Sequence, residues 1–159
     1  MLVGLGTGTT ADFAIVALGE RVAAGLKVTA VATSSATSRA AAAAGVALRP
    51  FDTLAKLDLA IDGADEIDPR LRAIKGKGGA MLREKIVAVA AERMIVVVDD
   101  SKLVTRLGRG FVPLEVLPFA VGFVADRVSR LGATVSLRVA GQARYRTEQD
   151  NLVPDCGFG

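Results

Sequence analysis

Short runs of branched aliphatic residues alternate along the chain with alanine-rich stretches of helical length. Five such runs predict strands, at residues 2–5, 27–32, 46–51, 57–61 and 94–98. Three alanine-rich stretches predict helices, at residues 10–24, 35–44 and 80–92. Because strands and helices alternate, we expect an α/β fold with a Rossmann-like, mostly parallel sheet flanked by helices. The uninterrupted run MIVVV at 94–98 indicates a strand buried on both faces.

The alternation changes after about Leu107. Three further segments are predicted: a helix at 119–131, a half-exposed strand at 134–139 and a short apolar run at 152–153, with a linker at 109–113 before them. We therefore expect a Rossmann-like α/β domain at 1–108 and part of a small α+β domain at 109–159. The first strand begins almost at residue 1 and the sequence stops abruptly at Gly159, so we expect a chain truncated at both ends.

Composition narrows the possible functions. Hydrophobic residues make up 51% of the 159 and aromatic residues only 4%, which predicts an aliphatic core and no surface that stacks nucleic-acid bases. There is no signal peptide and no apolar run of membrane-spanning length, so no membrane partner is expected. The single cysteine predicts a reducing, cytoplasmic location. Because the chain has no histidine, proton transfer must use Asp, Glu, Lys or Tyr.

A glycine-rich segment at 4–10, GLGTGTT, links the first predicted strand to the first predicted helix. Its backbone N–H groups, its hydroxyls and the helix N-terminus would suit a phosphate, although a tight capped turn would have the same sequence. A dinucleotide site would need an acidic residue after the next strand, and none lies between Glu20 and Asp52. We therefore expect no cofactor and a small phosphorylated ligand, with residues 33–35 supplying further hydroxyls.

Four carboxylates stand within the heptapeptide DGADEID at 62–68, directly after a predicted strand. Ligands bind beyond the carboxyl ends of parallel strands, so Asp62 and Asp65 are expected at the same edge of the sheet as the glycine-rich segment. The flexible cationic loop KGKGG at 75–79 is expected nearby. Carboxylates could also bind Mg²⁺, but the two lysines of this loop argue against a metal.

Two other acidic positions have ordinary interpretations. Glu66 and Asp68 are expected to be solvated in an Asp-Pro turn, without a chemical role. Glu84 falls in the first turn of the third predicted helix, on the side away from Leu82, Ile86 and Val89. Taken alone, Glu84 is expected to be a surface acid that favours the helix dipole, with the alternative that it leans over the loops toward a ligand.

These motifs resemble one enzyme family when they are taken together. GLGTGTT at 4–10, IDGADEID at 61–68, IKGKGGAMLREKI at 74–86 and DDSK at 99–102 resemble ribose-5-phosphate isomerase type A in order and spacing. The resemblance implies interconversion of ribose 5-phosphate and ribulose 5-phosphate in the pentose phosphate pathway, without metal or cofactor. It also implies a homo-oligomer, either a dimer or a tetramer. Lys77 stands where the family commonly has glycine.

The resemblance also implies roles for individual residues. Glu84 would be the general base that moves a proton from C2 to C1 through an enediolate. Asp62 would help ring opening, Lys75 would stabilise the developing oxyanion, and Asp65 would lie beside the sugar hydroxyls. The implied substrate-binding residues are Thr7, Gly8, Thr9, Thr10, Gly63, Ala64, Gly76, Lys77, Gly78 and Lys102.

Three other functions compete with this interpretation. An amino-sugar-phosphate deaminase has a related architecture but typically needs a catalytic histidine, which is absent here. A non-catalytic sugar-phosphate-binding module and an inactive truncated remnant of the family are the other two. Members of the family begin with a helix that carries a substrate-binding lysine, and they continue beyond Gly159. Retention of Asp62, Lys75 and Glu84 together argues for chemistry.

Overall fold

A parallel sheet forms the centre of the first part of the chain. The computed structural model describes residues 1–159. Five strands form the sheet in the order β3-β2-β1-β4-β7: β1 Leu2–Leu5, β2 Thr29–Ala32, β3 Ala47–Leu48, β4 Leu59–Asp62 and β7 Met94–Val96. Every neighbouring pair is parallel. The predicted Rossmann-like parallel sheet is confirmed.

Helices pack on both faces of this sheet. The helices are α1 Thr9–Ala23, α2 Ser35–Ala43 and α3 Met81–Ala90. Successive strand residues point to opposite faces, so Ala30 belongs to the core under α1 and α2, while Val31 belongs to the core that contains Val87 of α3. Both cores consist of small aliphatic side chains, as the low aromatic content predicts.

Two predictions, one about helix α3 and one about strand β7, are wrong. Strand β7 pairs with β4 alone and lies at the edge of the sheet, so its Met94 and Ile95 are exposed rather than buried on both faces. In α3 the predicted apolar face is turned outward, with Leu82 41% and Val89 74% exposed. The buried residues of this helix are Glu84 and Val87 instead.

The remaining elements are short and mostly antiparallel. They are the hairpin β5 Glu66–Ile67 with β6 Ala73–Ile74, β8 Val112–Pro113, α4 Val121–Ser129, β9 Thr134–Leu137, β10 Val139–Ala140, β11 Ala143–Arg144 and β12 Pro154–Gly157. Strands β8, β12 and β9 form one sheet in that order. The linker predicted at 109–113 therefore ends in a strand. Cys156 of β12 is buried, as expected of a small apolar residue.

The chain divides into two compact units. The first unit contains Met1–Gly63 and Leu82–Val98, and the second contains Ala64–Met81 and Asp99–Gly159. These units are defined by contacts and do not show which parts of the chain fold independently. The domain boundary predicted between residues 108 and 109 therefore stays a prediction. None of the helices has the length and apolar character needed to cross a bilayer.

Candidate active site

Two glycines, Gly4 in β1 and Gly6 in the turn after it, leave space for side chains of the first unit. A Cβ on Gly4 would lie 2.2 Å from Val87 Cγ1, and a Cβ on Gly6 would lie 1.9 Å from Asp62 Oδ1. Both contacts are far shorter than van der Waals distance. These two glycines are therefore required by packing within the protein, whereas the sequence suggested that they bring the backbone close to a ligand.

Asp62 and Glu84 are buried together. Asp62 ends β4, Glu84 lies in the first turn of α3, and their exposed fractions are 4% and 6%. The two side chains line the same small cavity, together with Gly6. The amide of Gly63 donates a 2.7 Å hydrogen bond to Asp62 Oδ1. The interpretation of Glu84 as a surface acid is wrong, and the first unit brings these two predicted catalytic residues together.

Four hydroxyl groups meet beside the glycine-rich turn. The hydroxyl oxygen of Thr7 lies 2.9 Å from those of Thr33 and Ser34 and 3.0 Å from that of Thr37. The Thr37 hydroxyl donates to the carbonyl oxygen of Gly6 at 2.8 Å. Thr33 and Ser34 are buried and hold the turn in place, whereas Ser35 is exposed. The contact of residues 33–35 with a ligand stays a prediction. Thr37 was missed because two of its partners, Thr7 and Gly6, lie 30 and 31 residues away in the sequence.

The N-terminus of α1 follows this cluster. Gly8 is the N-cap residue with a φ of 110°, in the left-handed region that favours glycine, and no side chain caps the helix. Gly8 and Thr9 are exposed, whereas Thr7 and Thr10 are half-buried. The first N–H groups of α1 and the positive end of its dipole are therefore compatible with the predicted phosphate site.

The second unit holds the other predicted residues in and around the β5–β6 hairpin. Asp65 precedes β5, and its amide donates to the carbonyl of Ile74 in β6. The amide of Lys77 donates to Asp65 Oδ2 at 3.0 Å, so this carboxylate is tied to the loop Lys75–Gly79. Lys75 is half-buried, whereas Lys77 and Gly78 are exposed.

The loop Lys75–Gly79 depends on glycine at two positions. Gly76 and Gly79 have φ values of 111° and 84°, which other residues rarely adopt. A Cβ on Gly76 would lie 2.5 Å from Met81 Sδ, and one on Gly79 would lie 2.0 Å from the Tyr145 hydroxyl. The loop is therefore packed tightly against its surroundings in the second unit.

Three predicted binding residues lie at the ends of these segments. Gly63 follows β4 at the end of the first unit, with ordinary contact distances around it, and Ala64 begins the second unit. Lys102 ends a 3-10 turn and is half-buried. Its neighbour Leu103 bridges Ile67 of β5, which connects this turn to the hairpin. No group of three or more cysteine or acidic residues is arranged to hold a metal ion.

The prediction for Glu66 is wrong, because this residue is 1% exposed. Its carboxylate accepts backbone N–H bonds from Gly108 at 2.7 Å, Arg109 at 3.2 Å and Gly110 at 2.7 Å. Burial acts to raise the pKa of Glu66, but these three N–H groups and the charge of Lys77 outweigh it and hold the pKa below its ordinary value. Glu66 therefore anchors the 108–110 turn to β5.

Asp68 is also buried rather than solvated. It accepts both side-chain bonds from Arg72, at 2.8 and 2.5 Å, as well as backbone N–H bonds from Arg70 and Arg72. The Arg72 hydrogen bond lowers the pKa of Asp68 and, with the backbone bonds, outweighs the opposing effect of burial. The Asp-Pro motif in the sequence predicts the turn, but it does not predict the hydrogen-bond partners that bury Glu66 and Asp68.

The lowered pKa values predict how stability depends on pH. A folded-state pKa below the unfolded value means that the stabilisation is complete above the unfolded carboxyl pKa, about 4, and is lost as pH falls through the folded value. Glu66→Gln is therefore expected to lower the free energy of unfolding near pH 7 by about 2 kcal/mol. The difference from the unmodified chain should shrink below pH 4.

Urea unfolding at a series of pH values measures this effect. Asp126→Asn is a matched control, because Asp126 is 54% exposed and pairs with the exposed Arg130. The control should change the unfolding midpoint little at any pH. A Glu66→Gln curve that runs parallel to the unmodified curve down to acid pH would show that Glu66 does not titrate on unfolding as argued.

The fold and this geometry define a class of protein. A Rossmann-like sheet carries a buried pair of carboxylates beside a glycine-rich turn and an uncapped helix N-terminus. Such a pair supplies proton transfer, and the helix N-terminus suits a phosphate. The class is that of enzymes that move protons on phosphorylated small molecules.

Comparison with known proteins identifies the family. Residues 29–159 match the model of ribose 5-phosphate isomerase A, also called phosphoriboisomerase A. The chain is 54% identical to the ribose-5-phosphate isomerase A of Sphingopyxis alaskensis, over 99% of this chain and 69% of that protein. It is 48% identical to that of Gloeobacter violaceus, over 100% of this chain and 70% of the relative. The chain belongs to the ribose 5-phosphate isomerase A family.

Solved structures agree with this assignment. A D-ribose-5-phosphate isomerase in complex with phospho-erythronic acid matches with a TM-score of 0.93 and 36% identity, over 99% of this chain and 71% of that one. The ribose 5-phosphate isomerase of Plasmodium falciparum matches with a TM-score of 0.92 and 35% identity, with the same coverage. The resemblance seen in the four sequence motifs is confirmed.

Proposed function

We propose that this chain is an isomerase that interconverts ribose 5-phosphate and ribulose 5-phosphate through an enediolate. The observation that carries the proposal is the burial of Glu84 beside Asp62 in one small cavity at the glycine-rich turn. The proton next to a carbonyl must be taken by a base, and a carboxylate can serve as that base. In a chain without histidine, Glu84 is the base we propose.

The proposed reaction moves one proton within the opened sugar. Glu84 removes the proton from C2 of the aldehyde form, which leaves an enediolate, and returns a proton to C1 to give the ketone. Asp62 assists ring opening and the transfer of protons between O1 and O2. Lys75 and Asp65 act on the oxygens of the sugar, where the positive charge of Lys75 offsets the charge that develops on the enediolate.

The remaining assignments concern binding. We propose that the phosphate lies at the N-terminus of α1, where the backbone N–H groups of residues 7–10 and the helix dipole favour an anion. Sugar hydroxyls are assigned to the other predicted binding residues: Gly63, Ala64, Gly76, Lys77, Gly78 and Lys102. Exposed Gly78 offers a backbone N–H without any side chain to block approach.

Isomerisation in D₂O tests the proposed reaction. The purified chain is incubated with ribose 5-phosphate, and the ketose formed is analysed by NMR. We expect at least part of the ribulose 5-phosphate to carry solvent deuterium at C1, because a proton held by Glu84 can exchange with solvent before it is returned. Ketose without any deuterium would show that the hydrogen passes from C2 to C1 without exchange, and unchanged turnover by Glu84→Gln would then contradict the proton-transfer route. Binding of ribose 5-phosphate without any ketose would favour a non-catalytic binding module.

Two further proposals concern the assembly of the chain and its location. A homo-oligomer, either a dimer or a tetramer, is proposed for this chain, and sedimentation equilibrium would distinguish these states from a monomer. A cytoplasmic location is proposed from the single cysteine, which is buried and unpaired.

A further inference from the structure

We infer that Arg138 is a positioning residue that fixes the peptide groups of the loop Lys75–Gly79, an inference that rests on the proposed function of that loop. Arg138 lies directly after β9 in the second unit. Its Nη1 atom donates to the carbonyl oxygen of Lys77 at 3.0 Å and to that of Gly76 at 3.4 Å. A side chain more than sixty residues away thus holds two consecutive carbonyl groups of the loop.

The Arg138 guanidinium is itself held rigidly. Asp155 of β12 accepts its Nε and Nη2 hydrogen bonds at 2.9 and 2.5 Å, and both side chains are largely buried. The guanidinium also lies 5.6 Å from the centre of the Tyr145 ring. A bidentate carboxylate and an aromatic face orient the planar group. The remaining nitrogen, Nη1, is therefore directed at the loop by a fixed support.

Holding a carbonyl also fixes the N–H of the same peptide group, because the two point in opposite directions across a planar trans peptide. The peptide group between Gly76 and Lys77 is held at both ends, by Arg138 at its oxygen and by Asp65 at its nitrogen. In the next peptide group Arg138 holds the oxygen of Lys77, so the N–H of Gly78 is turned away from Arg138. Gly78 is exposed and this N–H is available to a ligand.

Glycines make this support necessary. Gly76 has a φ of 111°, and neither Gly76 nor Gly78 has a side chain that would limit rotation of the adjacent peptide groups. Gly76 is packed against Met81, but Lys77 and Gly78 are exposed, so without Arg138 the peptide group between them could turn over. The hydrogen bond from the Lys77 amide to Asp65 would then be weakened. Lys75 immediately precedes the peptide groups concerned. Loss of Arg138 is therefore expected to misplace the groups that contact the enediolate, which affects the transition state more than the bound sugar.

Arg138→Met tests the inference, because methionine keeps the length and packing of the side chain but has no donor. We expect kcat for ribose 5-phosphate to fall on the order of tenfold or more, while KM changes less than about threefold. We also expect faster hydrogen exchange at the Lys77 amide. Arg138→Lys keeps the charge beside Asp155, but its single nitrogen cannot reach the carboxylate and both carbonyls. The Arg138→Lys variant should therefore restore part of the kcat. It also replaces Arg138→Met in the test if the methionine variant does not fold.

Val116→Ala is the matched control. Val116 is buried in the second unit and exchanges backbone hydrogen bonds with Leu152, so its truncation should lower stability and leave the hydrogen bonds between Arg138 and the loop in place. Equal losses of kcat in Val116→Ala and Arg138→Met would overturn the inference, because both would then reflect stability alone. Unchanged exchange at Lys77 in both Arg138 variants would also overturn it. An unmodified chain without turnover would contradict the proposed function, while exchange at Lys77 would still decide whether Arg138 positions the loop.

Discussion

Replacing Glu84 with glutamine is expected to lower kcat for ribose 5-phosphate by about 10³-fold or more. Glutamine has nearly the same shape as glutamate, so it fits the buried position in α3, but it cannot accept the C2 proton. Glu84 is only 6% exposed, which leaves little space for water to act as a base in its place. The measurement is the initial rate of ketose formation, with melting temperature recorded for each variant.

Glu92→Gln is the control for this experiment. Glu92 lies just beyond the C-terminus of α3 and is exposed, so its amide variant should keep the full rate. Ribose 5-phosphate should still bind to the Glu84→Gln chain, because the proposed phosphate contacts are made by other residues. A Glu84→Gln chain that is folded, binds substrate and turns over within tenfold of the unmodified rate would remove Glu84 from the role of base.

Replacing Gly6 with alanine is expected to lower both activity and stability. The new Cβ would lie 1.9 Å from Asp62 Oδ1, whereas ordinary contacts begin at 3.4 Å, so the two atoms must separate by about 1.5 Å. If Asp62 has the catalytic role proposed above, a displacement of this size is expected to cost about 10²-fold in kcat. The strain of overpacking should lower the free energy of unfolding by about 1–3 kcal/mol. Rate assays and urea unfolding measure the two effects.

Two comparison variants separate sterics from a general effect of alanine. Gly122 lies inside α4 with an ordinary φ and open space around it, so Gly122→Ala should be neutral or stabilising by up to about 1 kcal/mol. The double variant Gly6→Ala/Asp62→Gly removes the whole clashing side chain, whose Cβ would by itself lie 2.6 Å from the new Cβ. It should regain stability relative to Gly6→Ala but remain inactive. A double variant no more stable than Gly6→Ala alone would show that the Asp62 contact is not the cause.

The central sheet could be predicted from the sequence because its strands are short apolar runs separated by helices. The predicted strands at 2–5 and 57–61 differ from β1 and β4 by no more than two residues at either end. Helical periodicity was misleading for α3, where the regularly spaced Leu82 and Val89 are exposed. The buried face is decided by long-range packing, since Gly4 of β1 leaves space for the side chain of Val87 in α3.

The site could be predicted only in part, for a related reason. The family motifs identify Asp62 and Glu84, and one of these motifs also contains the glycines of the loop Lys75–Gly79. Nothing local indicates that Glu66 is buried, because its three partners lie more than forty residues further along the chain. Arg138 is likewise one of many scattered arginines in the sequence. Its importance comes from Asp155, which the antiparallel pairing of β9 and β12 brings beside it.

The hydrogen bonds among Thr7, Thr33, Ser34 and Thr37 have a fixed order of donors and acceptors, which limits how an anion can bind. A carbonyl oxygen can only accept, so Thr33 and Thr37 must give their protons to the backbone carbonyls that they contact. The hydroxyls of Ser34 and Thr7 are then left to donate within the cluster, in the order Thr7 to Ser34 to Thr37. The proton of Thr7 is therefore already committed. A phosphate at this turn would therefore depend on the backbone N–H groups and on hydroxyls outside the cluster, such as that of the exposed Thr9, and not on Thr7 as a donor.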